Sequence, residues 1–223
     1  MIPSRRAFFR QTLTVAATAA FSGLSREPTA SAQTSLSAEA ALQQLIDGNR
    51  RFAEGRMTSF DDDLKMLMAK TAEKQEPFAA VLSCADSRVP VELIFDQSIG
   101  HLFVTRVAGN IATSAIIASL EYGVAVLGTK AIMVLGHANC GAVKASIEAK
   151  AVPGQISALY PYMRPAVDQA GSDLDGAIKA NARIQAALLR QSSPVLAEHI
   201  KQNQLKIVSA YYDLTNGNVS LLD

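Results

Sequence analysis

The sequence has no tryptophan, and aromatic residues make up only 6% of its 223 residues. Proteins that bind single-stranded nucleic acid stack the bases on exposed aromatic side chains, so this scarcity argues against such a role. The charge pattern points the same way. The net charge is +1, and the sequence contains no basic stripe of the kind that contacts phosphates. We therefore expect a small-molecule partner and no nucleic acid.

Long apolar runs are also missing. No segment approaches the ~20 apolar residues that a transmembrane helix needs, so we expect the mature protein to have no membrane span. Hydrophobic residues nevertheless make up 49% of the chain. This is enough to bury one substantial core, and the chain length favours a single domain after any leader is removed.

The first 32 residues have the pattern of an export signal. The paired arginines Arg5 and Arg6 precede a weakly apolar stretch over 12–23, and small residues at 30–32 provide a cleavage site. Paired arginines in this setting resemble the twin-arginine type of signal. We expect residues 1–32 to direct export to a bacterial periplasm and residues 33–223 to form one domain. The alternative is a disordered basic tail. Residues 1–32 carry a charge of +3, and subtracting it from +1 leaves −2 for the remainder.

Hydrophobic patterning predicts alternating strands and helices after the leader. Continuous apolar runs typical of strands buried on both faces occur at 78–82, 102–106, 131–135 and 205–212. Helical periodicity begins at Ser37 and recurs over 61–73, 113–127, 174–189 and 194–202, and Asn216-Gly217 indicates a hairpin into a short strand at 219–221. The expected fold class is α/β, with a mostly parallel central sheet of about four strands, flanking helices and a short C-terminal edge strand. We expect Gly136 to end the third strand, and no regular element is predicted over 153–171.

Two cysteines and one histidine lie just after predicted strands. Cys84 follows the first strand, while His137 and Cys140 follow the third with a spacing of three residues. Ligands of parallel sheets bind beyond the carboxyl ends of the strands, which brings these three residues to the functional edge. Two thiolates and one imidazole form a three-ligand zinc set whose fourth position stays open for water or substrate.

Asp86 and Arg88 lie beside the first of these ligands. An arginine can pair with a carboxylate through two hydrogen bonds and keep it ionised. Asp86 can then accept a hydrogen bond from zinc-bound water, or it can bind the metal itself and close the site. Three alternatives remain open: a Cys84–Cys140 disulfide, a structural zinc site, and a surface ion pair of Asp86 with Arg88. His101 and His199 lack neighbours with ligand spacing, so we expect neither to bind metal.

Taken in order and spacing, these motifs resemble the β-class carbonic anhydrases. The segments that carry the resemblance are Cys84-Ala85-Asp86-Ser87-Arg88-Val89-Pro90, Leu102-Phe103-Val104 with Arg106 and Ala108-Gly109-Asn110, Ser119-Leu120-Glu121-Tyr122, and Gly136-His137 with Cys140-Gly141-Ala142-Val143. The resemblance implies the β-carbonic anhydrase fold and one Zn²⁺ per subunit. It further implies reversible hydration of CO₂ to bicarbonate and a proton, through attack of a zinc-bound hydroxide on CO₂.

The resemblance also assigns roles to individual residues. Cys84, His137 and Cys140 match the zinc ligands, Asp86 and Arg88 match the catalytic pair, and Asp86 becomes a metal ligand only in a closed form. The residues that match substrate contacts are Gln75, Phe103, Tyr122 and the backbone amide of Gly141. Because the site of this family lies at a dimer interface, a homodimer or a dimer of dimers is implied.

Two departures from the family pattern bear on these roles. The tryptophan associated with the closed form is absent, which favours the open form. His101 stands where the family usually has aspartate, next to the interface.

Three other functions compete with CO₂ hydration. Hydrolysis of COS or CS₂ would use the same zinc ligands. A non-catalytic bicarbonate-binding protein would not need Asp86 and Arg88 to activate a water. A redox role for the cysteines is disfavoured because the C-x-x-C spacing is missing.

Overall fold

A computed structural model describes residues 34–58 and 74–223. The predicted signal segment 1–32 and the predicted helix over 61–73 lie outside the described residues. Within these ranges the helices are α1 (Ala38–Ala53), α2 (Val91–Ile94), α3 (Ser114–Ala125), α4 (Gly141–Glu148), α5 (Tyr160–Ala170), α6 (Leu174–Ser192) and α7 (Pro194–Lys201), with a 3₁₀ turn at Ile156–Leu159. The strands are β1 (Ala79–Ser83), β2 (Leu102–Arg106), β3 (Ala131–His137), β4 (Lys206–Tyr212) and β5 (Val219–Leu221). None of the helices in the described part is long and apolar enough to cross a membrane.

The strands form one sheet in the order β2-β1-β3-β4-β5. The first four strands are parallel to one another, and β5 pairs antiparallel with β4 through the hairpin predicted at Asn216-Gly217. The predicted α/β class, with a mostly parallel sheet and a short C-terminal edge strand, is therefore confirmed. The predicted bounds agree with the observed strands to within one residue, except at the end of β3.

Helices cover both faces of the sheet, which explains why the inner strands are mostly apolar. One core layer lies beneath α1 and α2 and includes Leu45, Phe95 and Met133. The opposite layer joins β1 and β3 to α3, α6 and α7. Since β1 and β3 are buried along their whole length, the ends of these two strands are held firmly in place.

The structure corrects the prediction that Gly136 ends the third strand. The parallel ladder continues, with Gly136 opposite Tyr211 and His137 opposite Tyr212. A Cβ at position 136 would lie 3.1 Å from a side-chain carbon of Ile178 on α6. The glycine therefore serves the close packing of α6 on the sheet, and it does not interrupt the strand.

The sequence analysis also missed helix structure over 153–171. Prolines and glycines are frequent in this stretch, which disfavours a helix. Yet α5 has Pro161 in its first turn, where a missing N–H costs nothing, and it accommodates Pro165 in its interior. Burial of Met163, Ala166 and Val167 against the rest of the protein stabilises this helix.

Candidate metal centre

The predicted ligands meet at the carboxyl edge of the sheet. Cys84 follows β1, His137 is the last residue of β3, and Cys140 is the residue that precedes α4. These strands are neighbours, with Ser83 opposite Leu135. All three side chains are buried, and their ligand atoms lie within 4.8 Å of one another. The sequence-based prediction that two separate motifs form one cluster agrees with this geometry.

The separation of the sulfur atoms fits a metal better than a disulfide. Cys84 Sγ and Cys140 Sγ are 3.9 Å apart, and both cysteines are free. A disulfide requires about 2.0 Å. Two sulfurs bound to a tetrahedral zinc at ~2.3 Å each are about 3.8 Å apart. The two sulfur atoms are therefore already separated by about the distance that a zinc ion requires.

The imidazole of His137 is oriented as a metal ligand. Its Nδ1 lies 2.9 Å from the carbonyl oxygen of Ala138, so this nitrogen carries the proton and donates it to the carbonyl. Nε2 then presents a lone pair, and it is buried without a hydrogen-bond partner. A buried acceptor of this kind is costly unless something binds it. A metal ion at the centre of the three ligands removes that cost, and the Ala138 carbonyl supplies the usual outer partner of a ligating histidine.

The two thiols shift each other's acidity in opposite directions. The hydrogen bond from the Cys140 thiol lowers the pKa of Cys84, although burial acts in the opposite direction. The pKa of Cys140 is raised well above its ordinary value by the neighbouring Cys84 and by burial. The pocket therefore stabilises one thiolate by itself. A dication supplies the charge that two buried thiolates require.

Asp86 and Arg88 form a bidentate pair beside the ligands. Arg88 Nη2 donates to Asp86 Oδ2 at 2.7 Å, and Arg88 Nε donates to Asp86 Oδ1 at 3.0 Å. Arg88 also donates to the carbonyl of Asn139, which ties the pair to the turn before Cys140. These hydrogen bonds from Arg88 hold the pKa of Asp86 well below its usual range, so Asp86 is a carboxylate.

This carboxylate faces the metal position without belonging to the ligand set. Asp86 Oδ2 lies 3.9 Å from His137 Nε2. Among the described residues, the cluster of mutually close ligand atoms comprises only Cys84, His137 and Cys140. The geometry thus corresponds to three protein ligands with Asp86 next to the fourth position.

Two groups that hold the Cys84 loop were not identified as functional from the sequence. Arg106, at the end of β2, donates to the carbonyls of Cys84 and Asp86 at 2.9 and 2.5 Å. The amide of Gly109 donates to Cys84 Sγ at 3.4 Å. Both residues belong to the motif that carries the family resemblance, but their spacing from Cys84 in the sequence does not predict these contacts.

The four residues predicted to contact substrate lie in three different places. Gly141 is the first residue of α4 and follows Cys140; it is exposed, and a Cβ there would meet nothing within 4 Å. Phe103 and Tyr122 pack against each other, with ring centroids 6.3 Å apart. Phe103 borders the core layer under α3, whereas Cys84 and Cys140 belong to a separate cluster. Gln75 is exposed in the segment before β1.

These observations define a class of protein: an α/β domain with a buried Cys–His–Cys group that could hold a metal ion. Comparison with known proteins is more specific. The family model described as carbonic anhydrase matches residues 79–219. Carbonic anhydrase 2 of Mycobacterium tuberculosis is 36% identical over 198 residues, with 82% of this chain and 92% of that protein covered. The carbonic anhydrase of Mycolicibacterium smegmatis is 34% identical over 190 residues, with the same coverage.

Solved structures agree with the sequence relatives. The β-carbonic anhydrase CcaA superimposes with a TM-score of 0.64 at 27% identity, over 81% of this chain and 86% of that one. This chain therefore belongs to the carbonic anhydrase family, in its β class. The expected fold and enzyme class are confirmed, and Cys84, His137 and Cys140 are positioned to bind a metal ion.

Substitutions of His137 and His199 test metal binding. We expect the wild-type chain to bind one Zn²⁺, and His137→Ala to lose affinity by more than the about 10–100-fold that removal of an outer partner costs. The matched control is His199→Ala, because His199 lies on α7 outside the ligand cluster. Metal content after dialysis and competition with a chelator measure the effect. Equal zinc affinity in His137→Ala and the wild type would exclude this centre.

Proposed function

We propose that this carbonic anhydrase is a zinc enzyme with an open site, that it works as a homodimer or a dimer of dimers, and that it is exported. The observation that carries the catalytic part is the bidentate Asp86–Arg88 pair at the edge of the Cys–His–Cys cluster. A structural zinc site needs a fourth protein ligand. Here the neighbouring carboxylate is engaged by Arg88 and stays available as a hydrogen-bond acceptor.

The proposed chemistry is the reversible hydration of CO₂ to bicarbonate and a proton. When bound by Cys84, His137 and Cys140, Zn²⁺ lowers the pKa of a coordinated water to about 7 and so supplies a nucleophile at neutral pH. The chain's own residues supply the orientation. Asp86 Oδ2, which lies 3.9 Å from His137 Nε2, would accept a hydrogen bond from this water and so orient it for attack on CO₂.

Arg88 fixes this acceptor by holding Asp86 through both of its oxygens. The Asp86 oxygen that lies near the metal position also accepts from Arg88 Nη2, and this engagement supports the open form over a form in which Asp86 binds the metal. Gly141 is the first residue of α4, so its amide N–H lies at the positive end of the helix dipole. It is therefore a good donor to an oxygen that becomes negative during hydration.

Replacement of Asp86 tests the catalytic proposal. Because an amide lacks the negative charge and cannot accept through both atoms, Asp86→Asn is expected to lower the turnover of CO₂ hydration by about 10²-fold while zinc remains bound. The matched control is Asp168→Asn, which alters another aspartate paired with an arginine, Arg164, on the surface of α5. Stopped-flow hydration with a pH indicator measures the rates.

Three results would contradict the proposal. If the zinc-loaded wild type hydrated CO₂ no faster than buffer alone does, the protein could only bind bicarbonate and would not be a catalyst. Efficient hydrolysis of COS or CS₂ in that same sample would identify the alternative hydrolase. Loss of zinc from Asp86→Asn would make Asp86 a ligand and the site closed.

The proposed assembly is supported by an apolar surface at the edge of the sheet. Strand β2 has no neighbour on its outer side in the described chain, and Leu102, Phe103 and Val104 are only half-buried. Tyr122 lies on α3 and Val126 directly follows this helix; they are 48% and 40% exposed. The resemblance to β-class enzymes, in which the site lies at a dimer interface, supports this proposal. A second copy over this surface would bring Phe103 and Tyr122 towards the partner's substrate.

A charge placed on this surface should weaken the assembly. Tyr122→Asp is expected to raise the dissociation constant by about 30-fold or more, since buried interface tyrosines contribute ~2 kcal/mol or more. Ile156→Asp, which places the same charge on a different exposed apolar residue, is the control. Light scattering after size exclusion, over a range of concentrations, gives the mass. A monomeric wild type, or a Tyr122→Asp variant with unchanged mass, would refute this interface.

The proposed export rests on residues 1–32. The charged start with Arg5 and Arg6, the weakly apolar middle and the small-residue exit form the pattern of a cleaved signal. Twin-arginine export carries folded proteins, so the metal can be bound before the chain reaches an oxidising compartment, where two thiols would otherwise tend to pair.

Export can be tested by changing only the paired arginines. With the full-length chain expressed in a bacterium, replacement of both Arg5 and Arg6 by lysine is expected to abolish export, because lysine keeps the charge but not the motif. The control replaces Arg10 by lysine. Fractionation, together with the mass of the exported chain, reports location and cleavage near residue 32. Export that continues after the double replacement, or a periplasmic chain that is not shortened, would contradict the proposal.

A further inference from the structure

Two fully buried amide side chains lie on the face of α6 that points to the loop after β2. Asn181 and Gln185 are 0% and 1% exposed and lie one helical turn apart. Burial of polar amides in a core costs free energy unless each group finds a hydrogen-bond partner. The sequence analysis treated both residues only as part of a helix, so their partners need an explanation.

Each hydrogen-bond partner of these two side chains is either the other side-chain amide or a backbone group. Asn181 Nδ2 donates to the carbonyl of Gly109 at 2.8 Å, and its Oδ1 accepts from Gln185 Nε2 at 3.1 Å. Gln185 Oε1 accepts from the amide of Ala112 at 2.9 Å, and its Nε2 also donates to the carbonyl of Tyr162. The pair therefore connects α6 to both ends of the loop segment 109–112.

This same loop segment provides a hydrogen bond to a metal ligand. The amide of Gly109 donates to Cys84 Sγ. The hydrogen bond from the amide of Asn110 to the carbonyl of Val107 closes a turn, and Gly109 adopts a φ of +78° within it. A side chain at 109 would be strained at this φ, and its Cβ would lie 2.5 Å from Met163 Sδ. The conformation that aims the amide at the sulfur is thus specific and leaves little room to shift.

The N–H and the C=O of Gly109 belong to the two planar peptide units on either side of its Cα. A hydrogen bond that fixes the carbonyl therefore limits the rotation of Gly109 about φ and ψ, and with it the direction of the N–H. We propose that Asn181, supported by Gln185, is a positioning residue for the metal centre: it holds Gly109 so that the Gly109 amide stays directed at Cys84 Sγ. This inference rests on the proposed function, because it takes Cys84 as a zinc ligand.

The chemical consequence concerns the electron donation of the thiolate. A hydrogen bond to a metal-bound thiolate withdraws charge from the sulfur and so tunes the metal. Loss of the Gly109 contact should therefore leave a looser ligand and a more strongly donating sulfur. A role in fold stability alone would change neither property.

The chain offers a matched control at Asn49. This residue is also a helical asparagine, 4% exposed, and its amide donates to the carbonyls of Ile94 and Gly217. Its partners hold α1 against other parts of the fold, and its hydrogen bonds to Ile94, Gly217 and Val219 reach neither a metal ligand nor the segment 109–112. Asn49→Ala should therefore lower the free energy of unfolding as Asn181→Ala does, without any effect on the metal.

The experiment compares the wild type, Asn181→Ala and Asn49→Ala, each loaded with Zn²⁺ or with Co²⁺. Asn181→Ala is expected to bind Zn²⁺ about tenfold more weakly in chelator competition, and the sulfur-to-cobalt charge-transfer band should move to lower energy. Asn49→Ala should match the wild type in both measurements. Gln185→Met, which keeps the side-chain length but removes the hydrogen bonds, is expected to show the same changes and replaces Asn181→Ala if that variant does not fold.

The outcomes separate this inference from the proposed function. A wild type that binds neither metal would refute the zinc site itself. A wild type that binds both metals, together with unchanged affinity and an unchanged band in folded Asn181→Ala or Gln185→Met, would overturn the positioning role alone. Equal changes in Asn49→Ala would overturn it as well, since the effect would then follow from lost stability.

Discussion

The parallel pairing of β1 with β3 is the constraint on which the rest of this site depends. Parallel neighbours end at the same edge of a sheet, and the register that sets Ser83 opposite Leu135 brings Cys84 and His137 to that edge together. Both strands are central and fully buried, so the packing of the whole domain holds their ends. The third ligand, Cys140, needs only the short turn that leads into α4. A centre built on strand ends needs few local interactions to keep its geometry.

The residues at the ends of β1 and β3 carry more negative charge than a protein core normally accepts. Nearby hydrogen-bond donors compensate for this charge. Arg88 holds the Asp86 carboxylate, Arg106 holds the loop carbonyls, and the Gly109 amide faces the Cys84 sulfur. The two arginines donate to a carboxylate and to backbone carbonyls beside the ligands. Of these three donors, only the Gly109 amide donates to a ligand atom. Neither arginine therefore occupies the sulfurs or the His137 nitrogen. The cationic side chains therefore orient the site without occupying it.

Sequence patterning predicted the parts of the fold that have one dominant cause. Continuous apolar runs arise from burial on both faces, and β1, β2 and β4 were found where such runs occur. Gly136 misled because one residue type serves two purposes: it breaks elements, and it also permits the close approach of Ile178. The helix α5 was missed because tertiary packing outweighs its prolines. Asn181 and Gln185 were invisible as site residues, because a hydrogen bond to a loop some 70 residues away leaves no local signature.

The same rigidity bears on how two free thiols persist beside each other. A disulfide would need the sulfurs to approach from 3.9 Å to about 2.0 Å, and Cys84 and Cys140 are attached to separate buried elements whose packing opposes that movement. A zinc ion requires no such movement, because two sulfurs bound to it are separated by about the distance that is already present. The fold thus favours metal over oxidation before any ion arrives. Folding before exposure to an oxidising compartment, as the proposed export route provides, would preserve that preference, because an unfolded chain has no such geometric protection for its cysteines.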